Sequence, residues 1–590
     1  MSESTAAYTL ENGLRELLDR HGSLLREALS ALSTRVYWAA YEEDRDSYGP
    51  DAAARAADAF RGLLGQHFAL DQPGEDGMVG PDPESGGETS PFGFPLRISY
   101  PHADPDVLLP AMVEAARPWA VLSPWLRAAV CAEILARINA RSHEIALTAT
   151  HTSGQGELMA FHAGAVHAQD RGLEAVAQVL GEQTRLPERV VWRKPTAAGE
   201  EVQVKEFTVV PREVGLVVAG RVVPAWSAYP GLFASLAAGS AVLVKPHPDA
   251  VLPLALTVRI ARGVLREYGL CPDTVCLAPE LPGEGLARDL ALRPGVGVVD
   301  YTGSAPFGTW LEENVRPGTT VLASNGAVNS VLVDSTDDYR GMVANLAFTL
   351  ALYSGRLCTA PQNLFVPERG IDTDEGHKDL STLVTDLGAE VAVLLGRGGE
   401  AAELLGALPD AESVRAWEEA ASGRMGEVLF TGPETTHPDH RGAAVRPPVA
   451  VLVAPGSPPL YREHPAPILF VVPVLSAEVA LESVQDIALT SGSFVLGVHT
   501  AREGVEREAE AAARACGVGV SLNLTGSWLM TQSSVFSDLH GSGLNPASNF
   551  GGSRGVFATT RFSVTGVRRS VGSAEADQVV AADDVQELHP

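Results

Sequence analysis

Short runs of near-continuous Val and Leu, each set off by a helical segment, constrain this chain more than any other feature. VGLVVAG (214–220), SAVLVKP (240–246), TVCLAP (274–279), VGVVDYTGS (296–304) and SVLVDS (330–335) read as strands. LPLALTVRIARGVLREYG (252–269) is an amphipathic helix between two of them. Strands that are apolar on both faces need cover on both faces, and helical crossovers supply it when the strands run parallel. A second alternation follows in NLFVP (363–367), VAVLVAP (449–455) and FVLGVHT (494–500). Two α/β domains in sequence are expected, and 590 residues suffice for two or three.

The flanks read differently. Residues 9 to 70 carry Leu10, Leu14, Leu17, Leu18, Leu24, Leu25 and Leu29 at helical spacing, then a second helix from about Asp51 to Phe68. DQPGEDGMVGPDPESGGETSPFG (71–93) has the composition of a linker or long surface loop. RVVWRKPTAAGEEVQVKEFTVVPRE (189–213) suggests an antiparallel ribbon outside both domains. The tail SVGSAEADQVVAADDVQELHP (570–590) is acidic and lacks aromatics, which predicts disorder.

A net charge of −29 argues against nucleic acid and anionic membranes as partners. The opening MSESTAAYTLENGLRELLDR is polar and acidic, unlike a secretory signal. Five cysteines (131, 271, 276, 358, 516) make no disulfide framework, so a reducing cytoplasm is expected. His151, His162 and His167 lie close in sequence without carboxylate or cysteine partners, and structural hydrogen bonding is expected rather than a metal site.

Three features bear on chemistry. TGSAPFG follows a strand and opens a helix with Gly303 and Gly308, a form suited to phosphate because free backbone N–H groups point at the anion. VLVKPHP ends a strand on Lys245. YSGRLCTAPQN holds Cys358, a nucleophile or a small buried residue. Alone, the first also fits a plain βα turn and the second a solvated lysine.

Their order is more telling. VPAWSAYPG, AAGSAVLVKP, DYTGSAPFG, NGAVNSVLVD, YSGRLCTAPQN and EHPAPILFVVPV follow one another in a pattern that resembles the aldehyde dehydrogenase superfamily over roughly residues 100–568. HTSGQGELMAFHAGAVHAQDRGLEAVA (151–177), VYWAAYEED and STDDYRGMVANLAF resemble one branch of it, the phenylacetic acid degradation proteins (PaaN) without a fused hydratase domain. The resemblance implies an α/β fold with a Rossmann-type cofactor domain (99–188 and 214–322) and an α/β catalytic domain (323–554). It further implies oligomerisation strands (189–213 and 555–570), a helical N-terminal extension (1–98) and a disordered acidic tail (571–590).

By the same resemblance, Cys358 attacks an aldehyde and carries the acyl group as a thioester while hydride leaves to NAD or NADP. Trp226, Lys245, His247, Gly303, Ser304, Gly308 and Glu463 are implied in cofactor binding. Many members that prefer NAD carry a glutamate three residues after the lysine. Here that place is Pro248, which favours NADP or dual use. Two positions depart from the family. Its oxyanion asparagine is Ser227, and its general-base glutamate falls at Ala323 or Ser324. Three outcomes are compatible with that loss: another residue or a water chain replacing the glutamate in a slower dehydrogenase, acyl release to coenzyme A or another thiol (or its reversal), or a non-catalytic scaffold on the same fold. The partners implied are a small aldehyde or acyl-coenzyme A, and a second copy in a homodimer or homotetramer.

Overall fold

A computed structural model describes residues 3–197, 199–396, 399–528, 536, 541–552 and 555–572, with the side chains of 3–11 left undescribed. The expected disordered tail lies, from residue 573, outside the described residues. Five parallel strands form the first sheet, in the spatial order Thr320–Asn325, Val296–Gly303, Val214–Val218, Val242–Lys245, Val275–Leu277. Helix Pro224–Ala238 connects two of these strands and Leu252–Glu267 the next two, as crossovers between parallel strands require. The seven-stranded second sheet runs Glu427–Thr431, Val449–Leu452, Ile468–Val474, Pro361–Pro367, Asn329–Val333, Val495–His499, Gly519–Leu522, with only the first strand antiparallel to its neighbour. These are the two α/β units on largely parallel sheets that the strand pattern predicts.

Three antiparallel strands, Arg189–Thr196, Gly199–Pro211 and Phe562–Ser570, form a ribbon. It is fastened to the first sheet by one buried ion pair. Arg561, fully buried just before the last ribbon strand, holds Asp300 through Nη1 at 2.8 Å and Nη2 at 2.6 Å. Such a two-pronged guanidinium–carboxylate contact fixes orientation as well as distance.

The N-terminal helix Glu3–Thr34 buries Leu14, Leu17, Leu25 and Ala28 in the same core as Val130, Ile134 and Ile138 of helix Pro124–Asn139. The expected linker at 71–93 is instead packed structure. Glu75–Val79 pairs with Tyr100–Ala103, and Glu88, 1% exposed, reaches the first turn of helix Leu252–Glu267. There Glu88 Oε1 accepts from Val251 N at 2.6 Å and Leu252 N at 3.1 Å, while Tyr100 donates to its other oxygen. A loop composition is thus compatible with a fixed path when one buried acid caps a distant helix. Among the described residues, no single helix is long and apolar enough to cross a membrane.

Candidate active site

Residues 326–328 carry the chain from the last strand of the first sheet, Thr320–Asn325, to the first strand of the second, Asn329–Val333. Two elements converge there. The Glu463 carboxylate presses against Gly326 so closely that a Cβ at that position would clash with it. Cys358 packs with Ala327, Phe494 and Ala547. Thiol and acid therefore share the crossing point between the two sheets.

Cys358 is held by unusual backbone. Tyr353, Ser354 and Gly355 adopt positive φ in succession, at 49°, 52° and 63°. Left-handed backbone costs a non-glycine residue roughly 1–2 kcal/mol, so surrounding bonds must over-determine it. Tyr353 Oη donates to Ser153 O (3.0 Å) or Val222 O (2.9 Å), Ser354 Oγ donates to Leu405 O (3.0 Å), and Arg356 Nη1 donates to Ser153 O (3.1 Å). On the other side Asn329 Nδ2 donates to the carbonyls of Cys358 (2.8 Å) and Ala360 (3.2 Å). Asn329 Oδ1 in turn accepts from Phe494 N (3.0 Å) and Val495 N (3.2 Å).

The half-buried thiol is pushed up to about 12, first by burial and then by the charge of Glu463. Arg171 and the residue's own backbone N–H pull the other way. Burial pushes Glu463 up to about 7, against the attraction of Arg356. Arg171 lies with its guanidinium 3.9 Å from the centroid of the Trp226 ring, and among the described residues its Nε has no hydrogen-bond partner. Burial lowers the basicity of Arg171, while Glu174 and Cys358 favour its charge.

A model of the aldehyde dehydrogenase family matches residues 100–527. This chain belongs to that family. Its fold superposes on an NAD-dependent aldehyde dehydrogenase from Burkholderia multivorans with a TM-score of 0.90 at 40% identity, over 94% of this chain and 99% of that one. The 1-pyrroline-5-carboxylate dehydrogenase from Thermus with bound NAD shares the fold at 17% identity, with a TM-score of 0.67 over 88% of this chain and 96% of that one. Among curated proteins, the bifunctional protein PutA of Klebsiella aerogenes is 27% identical over 327 residues, 52% of this chain and 23% of that protein. A 3-succinoylsemialdehyde-pyridine dehydrogenase of a Pseudomonas species is 29% identical over 143 residues, 24% of this chain and 29% of that protein. The chain thus spans less than a third of either curated relative's length.

This aldehyde dehydrogenase family member places the residues singled out in its sequence as follows. Ser304 caps helix Ala305–Asn314 with an extended backbone and makes no side-chain cap bond. Gly308 in its first turn abuts Asn325, so a side chain there would displace the turn. Gly303 is equally tight against Tyr301. A strand, a glycine turn and a helix start that its own cap side chain leaves unbonded fit a pyrophosphate. Lys245 ends its strand buried, and its ammonium pairs with Glu280. His247 accepts from Asp249 N at 3.1 Å. Burial holds His247 down to about 4, with Arg221 and Lys245 adding to the effect and Asp249 opposing it.

Ser227 Oγ donates to Pro224 O at 3.0 Å within its own helix. Ser324 stands at the end of the first sheet opposite Thr302 and bridges Ser548. Ala323 is buried, with its N–H donating to Asn549 Oδ1 at 2.8 Å. His151 stacks on Phe60 and bonds Ser90 Oγ at 3.0 Å, while His167 meets Glu43 at 3.0 Å and stacks with His162. Among the described residues, no group of three metal-ligating side chains is assembled.

Arg171, Glu280, Asn329 and Arg356 escaped the sequence reading. Arg356 and Asn329 lie inside quoted motifs, and asking what each buries would have found them. Arg171 likewise lies inside the quoted 151–177 signature, whereas Glu280 follows the 274–279 strand and no motif marks it.

Proposed function

We propose that this chain is an NAD(P)-dependent aldehyde dehydrogenase in which Cys358 forms an acyl thioester. The observation that carries the reading is the meeting of Cys358 and Glu463 at the Gly326–Ala327 crossing, beside a helix start fit for a dinucleotide pyrophosphate. The dinucleotide, when bound, supplies a hydride acceptor. The thiolate of Cys358 adds to the aldehyde carbon, forming a C–S bond and an alkoxide. That alkoxide collapses to C=O as hydride departs, leaving the thioester. Tyr353, Arg356 and Asn329 hold the sulfur-bearing loop in place during both steps. Arg171 supplies positive charge that favours the thiolate.

Release of the acyl group is the distinctive step. No carboxylate occupies position 323 or 324, and a thiol needs less activation than water. Coenzyme A is therefore the acceptor we infer, and reversal of the same steps would reduce an acyl thioester. The substrate class we propose is a coenzyme A-linked semialdehyde of phenylacetate-type aromatic degradation or a related pathway, supported by the 151–177 resemblance alone. Val190, Phe207, Val210, Val564 and Val567 leave the ribbon with exposed apolar side chains, which supports a homodimer or homotetramer. We place the protein in the cytoplasm because five cysteines in 590 residues are too few for a disulfide framework.

The test is intact-protein mass spectrometry after incubation with a semialdehyde and NAD or NADP, with and without coenzyme A. An adduct should accumulate on Cys358, clear on adding coenzyme A and be absent in Cys358→Ala. Rapid clearance in buffer alone would overturn the thiol-release step, and an adduct on Cys358→Ala would overturn the nucleophile.

A further inference from the structure

Helix Ala52–Leu63 does not close completely on the body of the protein. It presents Ala53, Ala56 and Ala57 to helix Ser142–Ser153, which faces them with His143, Ala146, Leu147 and Thr150. Positions three and four residues apart share one face of a helix, so each set forms a single wall. Alanine opposite alanine leaves the space between those walls unfilled, and a cavity of about 100 Å³ results. The ring of Phe161 adds a flat third wall. Apolar cavities of roughly 150 Å³ admit a benzene ring. The walls are built from residues between 45 and 161, away from the Gly326–Ala327 crossing where Cys358 packs.

The charged groups of the cavity are engaged with one another. Arg45 Nη2 pairs with Glu157 Oε2 at 3.1 Å, and the Arg45 guanidinium lies 5.8 Å from the centroid of the Phe161 ring. His143 Nε2 meets Arg45 O at 3.1 Å. Thr150 behaves differently from its neighbours. In the same helix Thr148, Thr152 and Ser153 each donate to a carbonyl three or four residues back, at 2.7, 2.8 and 2.7 Å. Thr150 is 6% exposed, and its Oγ1 has no hydrogen-bond partner among the described residues. A buried hydroxyl left without a partner is destabilising, and an oxygen brought in by a ligand relieves that cost.

We propose that this cavity binds an uncharged, single-ring aromatic molecule whose one oxygen hydrogen-bonds to Thr150. The alanine, leucine and phenylalanine walls suit a ring, and a mostly apolar hollow with one polar group that fixes orientation is the usual form of a small-molecule site. Arg45 and Glu157 already neutralise each other, which favours an uncharged ligand over an ionic one.

The experiment is fluorine NMR titration of the full chain with 4-fluorophenol and 4-fluorotoluene, which are close in size and differ in the hydroxyl. Both should bind the native protein at millimolar concentration or below. Thr150→Val keeps the shape of the wall and removes its hydroxyl, so it should weaken 4-fluorophenol about tenfold and leave 4-fluorotoluene unchanged. Ala57→Leu fills the space and should weaken both ligands at least about tenfold. No binding of 4-fluorophenol to the native protein would overturn the proposal. Undiminished binding to Ala57→Leu would do so too, because the ligand would then sit elsewhere. An equal response of the two ligands to Thr150→Val would remove the hydrogen bond on which the proposal rests, and that comparison decides the matter alone if Ala57→Leu does not fold.

Discussion

The reactivity of Cys358 against pH offers the sharpest test of the site. Burial and Glu463 push its thiol up to about 12, where a cysteine in water ionises near ~8.5. A rise of about three units lowers the thiolate fraction at neutral pH roughly 10³-fold. Iodoacetamide should therefore alkylate Cys358 slowly, with a rate that climbs about tenfold per pH unit through pH ~10. Peptide mapping separates this site from the partly exposed Cys271. Two variants give opposite signs. Arg171→Gln removes a charge that favours the thiolate and should slow alkylation throughout. Glu463→Gln should accelerate it only above pH about 7, because the native carboxyl is mostly neutral below its own ionisation near that value. An inflection near pH 8 in the native protein, or acceleration by Glu463→Gln at pH 5, would refute this account of the charges around the sulfur.

Three other perturbations have definite expected outcomes. Ser324→Glu should speed buffer hydrolysis of the Cys358 adduct, read by the decay of its mass shift, since it returns a carboxylate to the strand end facing the crossing point. Asp300→Ala should cost about 3–5 kcal/mol in denaturant unfolding, because it leaves the Arg561 guanidinium buried and unpaired, whereas Asp300→Leu with Arg561→Met should recover most of that. Glu88, pushed up to about 7 by burial, binds a proton in the folded state between pH ~4.5 and 7 that the unfolded chain has released. Stability should fall across that window as pH rises, by roughly 3 kcal/mol relative to Glu88→Gln, and stay level above it.

The strands of Val and Leu were legible because burial on both faces leaves few other residue types acceptable, as in Val214–Val218 and Val242–Lys245. Thr320–Asn325 was not, since it is an edge strand with a mixed face, and Glu427–Thr431 is likewise peripheral and half-exposed. Cys358 and Glu463 stood out through motif order. Glu280 did not, because its partnership with Lys245 is made by strand register across 35 residues of chain rather than by spacing along it. The 71–93 segment misled for a related reason. Its Gly and Pro content describes the backbone, while its fixed path comes from Glu88 on a helix more than 160 residues away.

The Arg561–Asp300 clamp also has a consequence for biosynthesis. The guanidinium that neutralises Asp300 is made 261 residues after it. At ~5–20 residues per second a ribosome takes roughly 13–50 s to cover that interval, during which the first sheet holds an unmatched acid beside its core. The first domain can therefore gather its strands early but completes its interior only once nearly all of the second domain has been synthesised, which makes the two halves partners in maturation as well as in catalysis.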